Sequence, residues 1–256
     1  MTNNYRVVIQ FDGTEYYGWQ FQTPAYPTIQ AELIRILKII AKKQVLVTGS
    51  SRTDAGVHSS GLTANFHLPV AIEPDSLKRA LNSLLPKDIR IVECELKDKS
   101  FNARFGAVSK TYVYRIFTGA VQSPFDQRYA LHLPYPLDLR AMRRAARHFI
   151  GTKDFTSFSS DEPGKKKIRE VDVFKMQVRK EEIIFTVRGK SFLRYMVRNM
   201  VGTLIDVGRG KIAAADIPAI FAAKDRRRAG QTAPAKGLTL MKVEYAPANG
   251  PGHSGQ

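Results

Sequence analysis

The stretch Gly49-Ser50-Ser51-Arg52-Thr53-Asp54-Ala55-Gly56-Val57-His58 follows a short apolar run, Val45–Val47. It packs Ser, Thr, Asp and Gly around a single arginine. On local chemistry it reads as a tight polar turn, with Asp54 bonded to its own backbone and Gly56 taking a positive φ. The flanking sequence supplies the frame. Tyr5–Phe11 alternates apolar and polar residues and predicts a strand, and the aromatic, glycine- and proline-containing segment Asp12–Pro27 predicts a loop. Ile29–Ile40 has apolar residues at helical spacing behind Thr28 as N-cap. Val45–Val47 and Leu62–Leu68 read as strands, Pro74–Leu85 as a helix with proline near its start, and Ile89–Leu96 as a strand. This β-α-β-β-α-β alternation is the split pattern of ferredoxin-like domains. Cys94, alternating with Val92 and Leu96, reads as a packed strand residue.

The second half repeats the theme loosely. Thr111–Phe117 predicts a strand, and Leu139–Ile150 a helix. Glu170–Arg179 and Ile183–Val187 form a hairpin across Lys180-Glu181-Glu182. Phe192–Val207 and Ile212–Ala222 predict helices, and Leu238–Tyr245 a final strand. The expected fold class is α+β: two related ferredoxin-like α/β halves whose mainly antiparallel sheets join around a central basic cleft. Residues 1–105 form the first domain and carry the Asp54 loop. Residues 106–246 form the second, and residues 247–256, with two Pro, three Gly and no apolar pattern, read as a disordered tail.

Composition narrows the function. Lys and Arg number 40 against 23 Asp and Glu, a formal net charge of +17, and the sequence pI is near 10.0. Hydrophobic residues at 43% exclude a disordered chain. A mean hydropathy of −0.25, with no apolar run near the roughly 20 residues of a membrane span, excludes a transmembrane helix. The N-terminus shows no signal-peptide core, and a single cysteine suits a reducing cytoplasm, the expected location. A charge this positive points to a polyanionic partner, most often nucleic acid. Arg140, Arg143, Arg144 and Arg147 fall at i, i+3, i+4 and i+7, one face of a helix whose other face carries Met142, Ala146, Phe149 and Ile150. Four like charges on one stripe repel one another, and a phosphate backbone relieves that repulsion. Lys165-Lys166-Lys167 with Arg169, and Arg226-Arg227-Arg228, add to the pattern. The five histidines lie far from one another and from Cys94, with no metal-ligand spacing, and Gly189-Lys190-Ser191 lacks the earlier glycine of a phosphate loop. The expected chemistry uses carboxylate, arginine and tyrosine, with no cofactor and no metal.

Several blocks, in order over nearly the whole chain, resemble one family. They are Phe11-Asp12-Gly13 with Gly18-Trp19-Gln20, the Gly49–His58 stretch, Phe101-Asn102-Ala103-Arg104-Phe105 and Lys110-Thr111-Tyr112-Val113-Tyr114. The run Phe192–Gly202 and Ala233-Pro234-Ala235-Lys236-Gly237-Leu238 complete them. Together they resemble the tRNA pseudouridine synthase A family, which isomerises uridines of the anticodon arm.

The resemblance implies roles for particular residues. Asp54 is the catalytic carboxylate, either attacking covalently or taking a proton from the sugar. A free aspartate titrates near 3.9, and a closed pocket raises that value unless a fixed cation opposes the desolvation. Arg198 is that cation, expected on a helix one turn from Arg194 and one turn from Gly202, whose missing side chain lets the Asp54 loop approach. Tyr112 stacks on the target base and is a candidate for proton transfer, whereas Tyr114, on the same strand face, is a core aromatic. Arg52 holds the flipped-out nucleotide. Phe101, Asn102, Ala103, Arg104 and Phe105 contact the RNA backbone, as do Lys165 and Lys166. Leu68–Pro74 lacks the additional cation with which some relatives help flip the base, and Ser159–Lys166 lacks their cysteine. The resemblance also implies a homodimer acting on tRNA uridines 38, 39 and 40. Two rival readings place the target uridine elsewhere in RNA, or make the chain a non-catalytic RNA chaperone.

Overall fold

The computed structural model describes residues 2–160 and 166–246. Lys165 and the tail 247–256 lie outside the described residues. The first half of the chain supplies β1 (Asn3–Phe11), α1 (Ile29–Ala41), β2 (Val47–Gly49), β3 (His58–Leu68), α2 (Pro74–Leu84) and β4 (Ile89–Lys97). Thr28, the expected N-cap, accepts from Ala31 N–H through Oγ1 at 3.3 Å; the cap of α2 is Glu73, which accepts from Ser76 N–H at 2.8 Å, with the expected proline, Pro74, in the first turn. The second half supplies β5 (Ala107–Phe117), β6 (Leu131–His132), α3 (Leu139–Ala146), β7 (Gly151–Asp154), β8 (Ile168–Arg179), β9 (Glu182–Gly189), α4 (Met196–Gly208), α5 (Ile217–Ala223) and β10 (Leu238–Tyr245).

All ten strands join one sheet, in the order β4-β1-β3-β10-β5-β9-β8-β7, with β2 added on β3 and β6 on β5. The pairing is antiparallel except at β5/β6 and at β3/β10. The β3/β10 contact matters most, because it joins strands from opposite halves of the chain. It matches Thr239 with His58 and Leu240 with Ser59, at the end of the Asp54 stretch. Ser59 Oγ ties the join by donating to the Leu240 carbonyl at 3.2 Å and accepting from Leu62 N–H at 2.8 Å. In β5, Tyr112, Tyr114 and Ile116 point to one buried face, under α4. All residues of α4 except Arg198 and Asp206 are buried, so this helix is an interior element rather than a half-exposed one.

Several expectations need correction. The helix predicted from Phe192 begins only at Met196, because Tyr195 takes a left-handed conformation (φ 61°). A non-glycine residue there is strained, and the Tyr195 ring lies between two guanidinium groups, those of Arg194 and Arg198, each 4.9 Å from its centroid. Arg194 therefore precedes the helix. Strand β3 starts at His58, four residues earlier than expected, because its first residues pair with β10. The predicted helix Ile212–Ala222 is a 3₁₀ turn, Ala214–Asp216, followed by α5. Ile150 is exposed, since α3 ends in a 3₁₀ turn at Arg147–Phe149 and the chain leaves the core there. Cys94 is half-buried, while Val92 and Leu96 face outward.

Candidate active site

The Asp54 side chain does not bond to its own backbone. Its carboxylate Oδ2 accepts from Arg198 Nη1 at 3.1 Å, across 144 residues of sequence. Part of the local reading holds: Gly56 has φ +76°, and Val57 N–H donates to the Asp54 carbonyl at 3.1 Å. The loop between β1 and α1 braces the stretch. Trp19 N–H reaches the Thr53 carbonyl at 3.3 Å, Gly56 N–H reaches the Tyr16 carbonyl at 3.2 Å, and the buried Trp19 indole lies against Gly49. The polar stretch is thus walled by aromatic side chains, and its carboxylate projects to the start of α4.

Arg198 is fixed from three sides. Its Nε donates to the Ala233 carbonyl at 2.8 Å, its Nη1 to Asp54, and its guanidinium lies over the Tyr195 ring. The side chains of Arg198 and Asp54 are 14% and 19% exposed, so the pair is sheltered but still open to one side. Burial pushes the Asp54 carboxyl above its ordinary range, and the Arg198 and Arg194 cations recover only part of that shift. A carboxylate that is partly desolvated and held in one direction is more reactive toward an electrophilic carbon, or toward a proton, than a solvated one.

Gly202 has a role different from the one expected. The segment that closes on it is Gln231–Ala233, not the Asp54 loop: a Cβ at Gly202 would fall on the Gln231 carbonyl oxygen. This close approach brings the Ala233 carbonyl within reach of Arg198, and Ala233 N–H in turn donates to the Arg198 carbonyl at 3.1 Å.

Tyr112 sits on the same side, buried, with the Phe192 ring edge-on at 5.2 Å. Burial raises its phenol to about 12, with the nearby Asp54 charge adding to the rise. The Ser51 hydroxyl faces that phenol without reaching hydrogen-bond geometry. Tyr114 is a core residue whose hydroxyl donates to the Pro234 carbonyl at 2.8 Å. Arg52 is exposed, two residues from Asp54.

Of the segment Phe101–Phe105, only Arg104 and Phe105 stand out into solvent, with the guanidinium over the phenyl ring at 5.5 Å. Ala103 is fully buried, so it shapes the turn rather than meeting a ligand: its N–H donates to Asn65 Oδ1 at 2.9 Å and its carbonyl accepts from Tyr245. Asn102 Oδ1 accepts from the backbone of Arg104 and Phe105, and the Phe101 ring packs on Tyr245. Lys166 is exposed.

Two contributors escaped the sequence reading. Lys110 Nζ donates to the Ser50 carbonyl at 2.6 Å and ties the root of the Asp54 stretch to the strand that carries Tyr112. Burial, with Arg104 adding to it, lowers this ammonium to about 8. Arg226 is turned inward, not outward: it bonds Asn199 Oδ1 at 2.9 Å, Thr232 Oγ1 at 3.0 Å and the Ala229 carbonyl at 3.2 Å, so it braces the segment behind Arg198. Arg227 pairs with Asp225 at 2.8 Å, so the triplet 226–228 is not a free basic cluster.

The sequence profile described as "tRNA pseudouridine synthase" matches residues 7–106 and 145–246. Curated relatives agree along the whole length. The tRNA pseudouridine synthase A of Solibacter usitatus is 44% identical over 244 residues, covering 94% of this chain and 98% of that one. That of Thermodesulfovibrio yellowstonii is 41% identical over 253 residues (94% and 99% covered), and that of Bacillus pumilus 42% over 243 (94% and 98%). The chain belongs to the tRNA pseudouridine synthase A family, isomerases that convert uridine to pseudouridine in tRNA. No helix among the described residues is long and apolar enough to cross a membrane.

Proposed function

We propose that this enzyme modifies uridines 38, 39 and 40 of the anticodon stem-loop, with Asp54 as the acting carboxylate on a flipped-out nucleotide. The observation that carries the reading is the Asp54–Arg198 contact at 3.1 Å, made by residues far apart in sequence and set beside Tyr112. The reaction breaks the C1′–N1 glycosidic bond, turns the uracil, joins C1′ to C5, and exchanges the C5 proton for one on N1. Asp54 serves it by bonding to C1′, or by removing a sugar proton and returning it. Either route needs an ionised carboxylate, which Arg198 favours against the desolvation of the pocket. Tyr112 forms the wall on which the uracil rests, an interaction worth about 1–3 kcal/mol per stacked base. The base must leave its helical stack to be reached, and the exposed Arg52 takes the space that it vacates. Arg104 and Phe105 track the backbone, and Lys165 and Lys166 add further cations.

In the same reading the chain works as two related halves, 1–105 and 106–246, around a basic cleft. It functions as a cytoplasmic homodimer, so that two basic clefts grip one tRNA through many phosphates. The test is to incubate the enzyme with unmodified tRNA transcripts and map pseudouridine by chemical sequencing. Product confined to positions 38–40 supports the assignment, and product at other uridines overturns it.

A further inference from the structure

We propose that the exposed arginine face of α3 is a second docking surface, which grips tRNA phosphates away from the uridine held at Asp54. The inference rests on the reading above in taking tRNA as the polyanion. Arg140, Arg143, Arg144 and Arg147 are all exposed, while Met142, Ala145 and Ala146 on the other face are buried. None of the four makes an ion pair or a side-chain hydrogen bond among the described residues. Some exposed arginines elsewhere are matched, Arg35 with Glu32 at 2.8 Å, Arg188 with Asp172 at 2.7 Å and Arg227 with Asp225 at 2.8 Å, and the unmatched ones, such as Arg52 and Arg179, stand singly rather than in a stripe. Asp138, two residues before Arg140, is used as the helix N-cap, accepting from Ala141 N–H at 2.9 Å.

The free protein gains little from this arrangement. Neighbours at i+3 and i+4 repel; the helix dipole favours Arg143 and Arg144 in the last turn but disfavours Arg140 in the first. All four are arginines rather than lysines, and the planar guanidinium fork matches phosphate oxygens two at a time.

Helix α3 lies on the same face of the sheet as Tyr112. Tyr112 lies opposite Val187 in β9, and Val187 opposite Phe174 in β8, so these three side chains share one face of the sheet. Phe149, just beyond α3, stacks on Phe174 at 5.3 Å, which puts α3 on the same face as the candidate active site. Asp138 N–H donates to the Gly208 carbonyl at 2.8 Å, so α3 begins at the far end of α4. Ten residues of helix separate Gly208 from Arg198, about 15 Å. From there the stripe runs about 10 Å along α3, and Phe149 ends it against Phe158, whose carbonyl accepts from Asn199 Nδ2, next to Arg198. The Arg140 end of the stripe thus lies about 15 Å from Arg198 along α4, and the Arg147 end returns toward it.

The test compares the wild-type chain with the variant R140Q/R143Q/R144Q/R147Q, measuring binding of full-length tRNA and of an isolated anticodon stem-loop over a range of salt. Each phosphate contact contributes about 0.9 to the slope of log K against log salt. The slope for full-length tRNA should fall by about 2–4 and affinity by tenfold or more, while the stem-loop slope stays constant. Glutamine is a good helix former, so the melting temperature should hold or rise. If the quadruple variant nevertheless fails to fold, Arg144→Gln alone should lower the slope by about 1. An unchanged slope for full-length tRNA overturns the proposal. So does an equal loss on the stem-loop, which would assign the stripe to the uridine site, or a variant that loses binding only to anionic lipid vesicles. Absence of pseudouridine in tRNA treated with wild-type enzyme is a different result: it defeats the proposed function, while the slopes still report on the stripe.

Discussion

At the residue scale the account turns on how one carboxylate is held. Burial raises the Asp54 pKa and Arg198 opposes that rise, so removing Arg198 should raise it further. The acid limb of kcat/KM reports the free enzyme's essential base. In Arg198→Met that limb should move to higher pH, with activity lost at pH values where the wild type still works. A limb that stays in place or moves down contradicts the assigned role. The substitution should also destabilise the fold, but by less than the 3–5 kcal/mol of a fully buried pair, because both side chains keep some exposure. Lys110 titrates in the opposite sense. Its folded-state value of about 8 lies below the ordinary lysine value of 10.5, so between these limits the unfolded chain binds more protons than the native one. Stability therefore gains from this group as pH rises through that window. Denaturant midpoints from pH 8 to 10.5 should show a positive contribution in the wild type that is missing in Lys110→Met.

At the scale of elements, α4 and the segment behind it form the support. Gly202→Ala puts a methyl group on the Gln231 carbonyl. Overpacking of this kind costs about 1–3 kcal/mol, and the displaced segment carries the Ala233 carbonyl that orients Arg198. Turnover should fall with KM for tRNA little changed, as read from single-turnover and steady-state rates. The same element shows why part of the molecule could be read in advance and part could not. Strands β1, β4 and β5 and helices α1 and α2 follow from alternation, helical spacing, the Thr28 cap and the proline at the start of α2, which are local signals. The start of α4 is not local. Phe192, Met196 and Met200 keep the helical spacing, but Tyr195 takes a left-handed backbone conformation, with the Arg194 and Arg198 guanidinium groups against its ring. Arg226 and Arg227 look alike in sequence, yet one braces the interior and the other pairs with Asp225 at the surface. The Asp54–Arg198 pair could be named only by resemblance, since nothing in either segment alone points to the other.

At the scale of the whole molecule, two properties dominate: a sheet that joins the two parts of the chain at β3/β10, and a net charge of +17. The join sets Asp54 and Tyr112 relative to each other, so Ser59→Ala, which removes the side-chain bonds at that join, should cost about 1–2 kcal/mol of stability. It should also lower activity more than the stability loss explains, as measured by turnover well below the unfolding midpoint. The charge acts on encounter rather than on chemistry. KM for tRNA should rise steeply with salt while kcat stays nearly constant, and a salt-dependent kcat would mean that surface charge takes part in the chemical step. The most direct measurement is tritium release from tRNA labelled at uridine C5, made with the wild type and with Asp54→Asn alongside tRNA binding. The account predicts rapid release by the wild type, none above background by the variant, and binding by the variant within a few-fold of wild type. Release by Asp54→Asn at the wild-type rate would contradict it.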